Sequence, residues 1–164
     1  MFRHLLHENA VGIHLDVPNR EAALVELLAL LPSNRISPRR KGELLESLLQ
    51  RERFGTTAIG DGAAFPHCTS SEITAPLAAL GISRKGIDYP SLDGDPVHVI
   101  FLTVFPEAMD SGEKIKILQD IEGLIRDRFL MQRLKVSETP EEAYEFLQRE
   151  SAQLVDFLPL AGRA

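Results

Sequence analysis

The segment Val97-His98-Val99-Ile100-Phe101-Leu102-Thr103-Val104-Phe105 constrains the fold more than any other part of the chain. Apart from His98 and Thr103 it is apolar on both parities, and a strand apolar on both faces needs cover on each side. Such a strand sits in the middle of a sheet with helices above and below it. Pro106 ends it. Residues 75–82 are also apolar and read as a strand with Pro76 near its start, and residues 11–17 as a short strand of mixed alternation closed by Pro18-Asn19. Between 83 and 96, Gly86, Pro90, Asp93-Gly94 and Pro96 read as turns around one short extended piece at 87–89.

Helical periodicity occupies much of what remains. Leu24, Leu27, Leu28 and Leu31 recur at helical spacing in residues 21–31, and Pro32-Ser33-Asn34 stops that helix. Ser37 before Pro38 is a helix start, with a hydroxyl cap and proline at the first turn. Leu44, Leu45, Leu48 and Leu49 make its apolar stripe, and Gly55 is a good stop. Asp110-Ser111-Gly112 opens a third helix with Ile115, Leu118, Ile121 and Leu124 along one face, and a shorter helix covers 128–134. Thr139-Pro140-Glu141-Glu142 is a capping box that starts the last helix.

These elements predict an α/β fold: a single domain with a mixed sheet of about four or five strands, flanked by helices on both faces. Residues 1–150 are expected to form the domain and 151–164 a C-terminal helix extension or tail. With 164 residues, 44% of them hydrophobic, one ordinary core is affordable. Eighteen basic residues against 24 acidic ones give a formal charge of −6, which argues against nucleic acid or an anionic membrane as the main partner. The single cysteine, Cys68, precludes an internal disulfide and suits a reducing compartment. The N-terminal stretch is broken by His4, His7, Glu8, Asn9 and His14 rather than carrying a signal-peptide core, and no run is long enough to span a bilayer. The expectation is a cytoplasmic protein with no direct membrane insertion.

The chemistry concentrates in residues 51–67, Arg-Glu-Arg-Phe-Gly-Thr-Thr-Ala-Ile-Gly-Asp-Gly-Ala-Ala-Phe-Pro-His. A basic helix end leads into two hydroxyls and three glycines, and a histidine stands directly behind a proline. Pro66 fixes its own φ and pushes Phe65 towards an extended conformation, so His67 is presented from a stiffened backbone. An imidazole with amide donors, hydroxyls and a guanidinium nearby suits phosphoryl chemistry, because the moving group is anionic. For Arg51 and Arg53 the plainer role is favourable interaction with the helix dipole. A metal site built from His67 and Cys68 is not expected, since adjacent residues of an extended segment point apart and no further ligand cluster is visible.

This stretch, from Arg51-Glu52 through Thr57-Ala58-Ile59-Gly60-Asp61-Gly62-Ala63-Ala64-Phe65-Pro66-His67, resembles the active-site signature of the enzyme IIA domains of the bacterial phosphoenolpyruvate-dependent phosphotransferase system. The match is to the fructose/mannitol type, which includes a nitrogen-regulatory paralogue. It extends over residues 11–150, including the Asp93-Gly94-Asp95-Pro96-Val97 entry into the apolar strand. The resemblance implies that His67 takes a phosphoryl group from the histidine phosphocarrier protein, holds it as a phosphohistidine on Nε2 and passes it to an enzyme IIB domain, with no cofactor. It implies that Arg51 helps to neutralise the phosphate, and that Thr57 and the amides around Gly60, Asp61 and Gly62 supply phosphate-binding donors.

The chain departs from that pattern in places. Where relatives carry a second histidine early in the helix after the central strand, this chain has Lys114. Lysine offers phosphate a point charge but not an imidazole's proton chemistry. The consequence is either altered transfer or a protein that works as a sensor; otherwise Lys114 is an exposed first-turn residue. Cys68 replaces a glycine and is either a reactive thiol in an electropositive site or a small apolar side chain. His98 is either a hydrogen-bonded core residue or the missing second imidazole. Two functions follow from the resemblance. One is a phosphocarrier acting on sugar uptake through a IIB on another polypeptide, as no IIB or membrane segment is seen here. The other is a regulator whose phosphorylation state at His67 controls binding to regulated proteins.

Overall fold

The structure, a computed structural model, describes residues 2–157, with side chains described for residues 4–152. In chain order the elements are α1 (Phe2–Leu5), β1 (Leu6–Gly12), α2 (Arg20–Leu30), α3 (Pro38–Arg53), β2 (Ala58–Gly60), β3 (Ala63–Ala64), β4 (His67–Ser70), β5 (Leu77–Ile87), β6 (Val97–Pro106), α4 (Ser111–Ile125), α5 (Arg128–Lys135) and α6 (Pro140–Phe157). Local chemistry explains most helix starts. Asn19, Ser37, Asp110 and Asp127 each accept a backbone N–H of the first helical turn, and the Thr139 hydroxyl accepts Glu142 N–H at 3.1 Å.

The strands form one six-stranded mixed sheet in the order β1-β5-β6-β3-β2, with β4 also on β6. β5 and β6 are antiparallel, whereas β1 runs parallel to β5, and β3 and β4 run parallel to β6. β6 is therefore central, and every residue in it except His98 is buried, as its double apolarity requires. β3 and β4 occupy successive stretches of one edge of β6: Ala64 pairs with Ile100 and His67 with Thr103. Counted across, the sheet is five strands wide.

Helix α2 packs on β1 and β5, α3 on β4, and α5 on β5 and β6. Gly81 of β5, paired with Ile100 and so on the opposite parity from Thr103 and His67, makes room for α2: a Cβ there would lie 2.5 Å from Leu15 and 2.7 Å from Leu27. The core is continuous from Leu24, Leu27 and Leu48 through Leu80, Ile100 and Phe101 to Ile121, Leu134 and Leu147.

Three of the predicted segments differ from the sequence-based expectation. The first strand is Leu6–Gly12 rather than 11–17, because His7, Glu8 and Asn9 form an exposed irregularity between the Leu6 and Val11 pairings, and His14, at φ 56°, turns the chain away. β5 continues to Ile87 instead of breaking into turns at 83; the register shift between Ile82 and Ile87 absorbs Gly86 at φ 87°. On α4, burial is confined to Ile121, Leu124 and Ile125, and Ile115 is 55% exposed. The last helix runs unbroken past residue 150 to Phe157; the rest of the proposed tail, 158–164, lies outside the described residues.

Candidate functional site

His67 begins β4, pinned to β6 by its register with Thr103 and by the Thr103 N–H, which donates to the Pro66 carbonyl at 3.0 Å. Its ring lies between two phenylalanines. Phe65 is nearly parallel to it at 6.3 Å between centroids, and Phe105 meets it edge-on at 6.4 Å. Nδ1 stands 3.2 Å from the Phe65 carbonyl oxygen. A carbonyl only accepts, so Nδ1 carries the proton and the lone pair is on Nε2. Burial holds the imidazole below its usual 6.5; the Phe65 carbonyl opposes that shift, the Arg51 guanidinium adds to it, and the Glu52 carboxylate again opposes it. A partly buried, neutral, tautomer-fixed imidazole is a competent nucleophile at neutral pH.

Arg51 lies in the last turn of α3 and is exposed. One nitrogen, Nη1, donates to the Gly55 carbonyl at 2.9 Å, capping the helix end, while its charge acts on His67. The helix-end role expected of it from the sequence is present in that contact.

Thr57 has a different setting from a phosphate donor's. It is 3% exposed, its hydroxyl donates to the Glu52 carboxylate, and its N–H donates to Glu52 Oε2 at 3.1 Å. Residues 60–62 are also not beside His67. Gly60, Asp61 and Gly62 form the β2–β3 turn, and the next residue, Ala63, pairs with Val99, four residues before the Thr103 partner of His67. At about 3.3 Å per residue that is roughly 13 Å along β6. The turn is strained for a purpose of its own. Asp61 at φ 55° aims its N–H at Asp93 Oδ2, 3.0 Å away, and Asp93 also accepts the Asp95 N–H at 3.1 Å. The cavity next to it, about 440 Å³, is lined by Asp61, Gly62, His98, Arg128 and Lys135 among others, and not by His67.

His98 is not the second imidazole. It stands five residues before Thr103 on β6, roughly 16 Å along the strand from the partner of His67, with Nδ1 2.9 Å from the Ser83 carbonyl oxygen. It is the hydrogen-bonded core histidine. Burial pushes the Cys68 thiol up to about 12, which disfavours the thiolate. Lys114 is half-buried in the first turn of α4, with Nζ 3.4 Å from the Glu107 carbonyl oxygen; the charges that act on His67 are those of Arg51 and Glu52.

Sequence reasoning passed over Glu52. This carboxylate is 5% exposed, receives Thr57 twice and faces Arg20 at 3.8 Å. Arg20 in turn lies over the Tyr89 ring, 5.8 Å from its centroid, and burial and Glu52 together hold the Tyr89 phenol above its usual range. One signal did exist: an acid in the last turn of a helix is on the wrong side of the dipole, so something else must hold it there.

The model of the "Phosphoenolpyruvate-dependent sugar phosphotransferase system, EIIA 2" family matches residues 4–150. A nitrogen regulatory protein of Bradyrhizobium diazoefficiens is 32% identical over 143 residues, covering 87% of this chain and 92% of that protein. Among solved structures, the nitrogen regulatory protein IIA-Ntr of Neisseria meningitidis superposes with a TM-score of 0.78 at 24% identity, covering 87% of this chain and 96% of that one. The Escherichia coli mannitol IIA, solved as a complex with phosphorylated IIB, superposes with a TM-score of 0.71 at 17% identity, covering 88% and 99%. Those two likenesses concern the fold; the family match and the 32% relative carry the assignment. This chain, whose signature histidine stands on the edge of a doubly covered sheet, belongs to the EIIA type 2 family of the phosphotransferase system.

Proposed function

We propose that this protein is a phosphocarrier that accepts a phosphoryl group on His67 Nε2 from the histidine phosphocarrier protein and delivers it to an enzyme IIB domain in the cytoplasm. The observation that carries the reading is the Nδ1 contact with the Phe65 carbonyl, which leaves the Nε2 lone pair as the nucleophile. In the transfer, that lone pair attacks phosphorus while the donor's P–N bond breaks and its electron pair returns to the donor imidazole. The reverse sequence hands the group on. Little covalent chemistry falls to the protein, so positioning and charge dominate. Phe65, Phe105 and the β6 ladder hold the ring. Arg51, with further guanidinium donors beyond the one on Gly55, offsets the incoming charge. Thr57 acts indirectly, by fixing Glu52. Lys114 brings a charge to the region of the relatives' second histidine.

A second reading, a regulator whose phosphorylation state at His67 changes its affinity for other proteins, is favoured by the near full-length likeness to a nitrogen regulatory protein. One experiment addresses both. The protein is mixed with enzyme I, the phosphocarrier protein and phosphoenolpyruvate. Acid-labile, alkali-stable label on the wild type and none on His67→Ala is the expected result, and label persisting on His67→Ala overturns the acceptor. Label that passes to a IIB domain supports the carrier, and label that stays supports the regulator. Faster transfer by Lys114→His would show that the lysine sets the rate.

A further inference from the structure

Thr103 is 1% exposed, and its hydroxyl has no hydrogen-bond partner among the described residues. An unsatisfied buried hydroxyl is destabilising, and a valine of the same shape would remove the cost. The ladder also fixes what surrounds it. Thr103 is the register partner of His67 on β4 and of Ala78 on β5, and along β6 its same-face neighbours are Phe101 and Phe105. Of these side chains only His67 bears a polar group. Phe105 touches the His67 ring edge-on, which confirms that this face of β6 is the one under the imidazole. Two other donors that the sequence pointed to are already engaged: the Thr57 hydroxyl on Glu52 and the Asp61 amide on Asp93.

We propose that Thr103 is a phosphoryl-binding residue whose hydroxyl donates to the phosphoryl group carried by His67. The proposal rests on the phosphocarrier reading above. Phosphorylation brings three strong acceptor oxygens to the imidazole, and a hydroxyl with a free proton beside that ring is their complement. The unphosphorylated protein then carries an unpaired hydroxyl that the phosphorylated form pairs, so Thr103 favours the loaded state. It forms no covalent bond and takes no proton in the transfer.

The test compares wild type, Thr103→Val and Thr103→Ser, each equilibrated with phosphorylated histidine phosphocarrier protein, by measuring the phosphorylated fraction and the hydrolysis half-life of the phosphohistidine. A hydrogen bond to a charged group corresponds to about tenfold or more in the equilibrium. Thr103→Val is expected to shift the transfer equilibrium about tenfold towards the phosphocarrier protein and to shorten the half-life, with melting temperature equal to or above wild type. Thr103→Ser is expected to keep the wild-type equilibrium. A Thr103→Val protein that melts higher and still loads like wild type would leave the hydroxyl without this role. A wild type that takes no label overturns the phosphocarrier reading itself, and this role with it; a labelled wild type confines any failure to Thr103.

Discussion

Replacing Glu52 by glutamine separates the two duties of that carboxylate, holding the α3–β2 junction and setting the field at His67. The side chain is 1% exposed and accepts two donors from Thr57, its N–H at 3.1 Å and its hydroxyl, while Arg20 stands 3.8 Å away. Glutamine keeps one acceptor but turns an NH2 group towards a donor, so at least one charge-assisted hydrogen bond is lost, about 1.5–3 kcal/mol. The Arg20 pair adds little, under about 1 kcal/mol, since the arginine is 23% exposed and the contact is long. The lower desolvation cost of a neutral amide offsets part of the loss. The net is about 2 kcal/mol, a fall of about 4–8 °C in melting temperature for a chain of this size. Glu52 also raises the His67 midpoint against the effects of burial and Arg51, so its neutralisation moves that midpoint further down. Thermal unfolding followed by circular dichroism measures the first effect, and NMR titration of the His67 ring protons the second. An unchanged melting temperature, or a His67 midpoint that stays or rises, would refute the network as described.

Other outcomes follow from the same geometry. In the wild type, His67 should titrate below the ordinary 6.5, and because the folded midpoint is depressed, its contribution to stability is complete above 6.5 and lost as pH falls through the folded value; His67→Ala should flatten that limb of the stability profile. Gly62→Ala, at φ 75° and with its Cβ 3.3 Å from His98 Cδ2, should cost about 1–3 kcal/mol in denaturant melts, whereas Gly123→Ala in α4, where a Cβ meets nothing within 4 Å, should gain about 0.5–1 kcal/mol. Leu80→Ala, at a fully buried position of β5, should lose about 2–5 kcal/mol with an unchanged denaturant slope. Cys68, its thiol pushed up to about 12, should resist alkylation at pH 8 in the folded protein and react once unfolded.

The legible parts of this molecule are those whose cause is local. The double apolarity of β6, the Ser37-Pro38 and Thr139-Pro140 caps and the placing of Arg51 in a last turn all depend on neighbours in sequence, and all match the structure. What escaped is non-local. Two strands of two and four residues carry no periodicity of their own; β3 and β4 exist because β6 offers them an edge. That same edge sets the turn at residues 60–62 back from His67, although the two are close in sequence. The exposure of Ile115 shows that an apolar stripe marks a face, while how far the core extends beneath it is decided elsewhere. Glu52 was passed over because Arg20, 32 residues away in sequence, and Thr57 meet it only in the fold.

One nitrogen, Nε2 of His67, carries the proposed chemistry. Long-range proton–nitrogen correlation NMR on the protein after incubation with enzyme I, the phosphocarrier protein and phosphoenolpyruvate reports which ring atom of His67 bears the phosphorus. The Phe65 carbonyl on Nδ1 predicts a retained Nδ1 proton and phosphorus on Nε2. Phosphorus on Nδ1, or an unaltered His67 ring beside a labelled residue elsewhere, would contradict it.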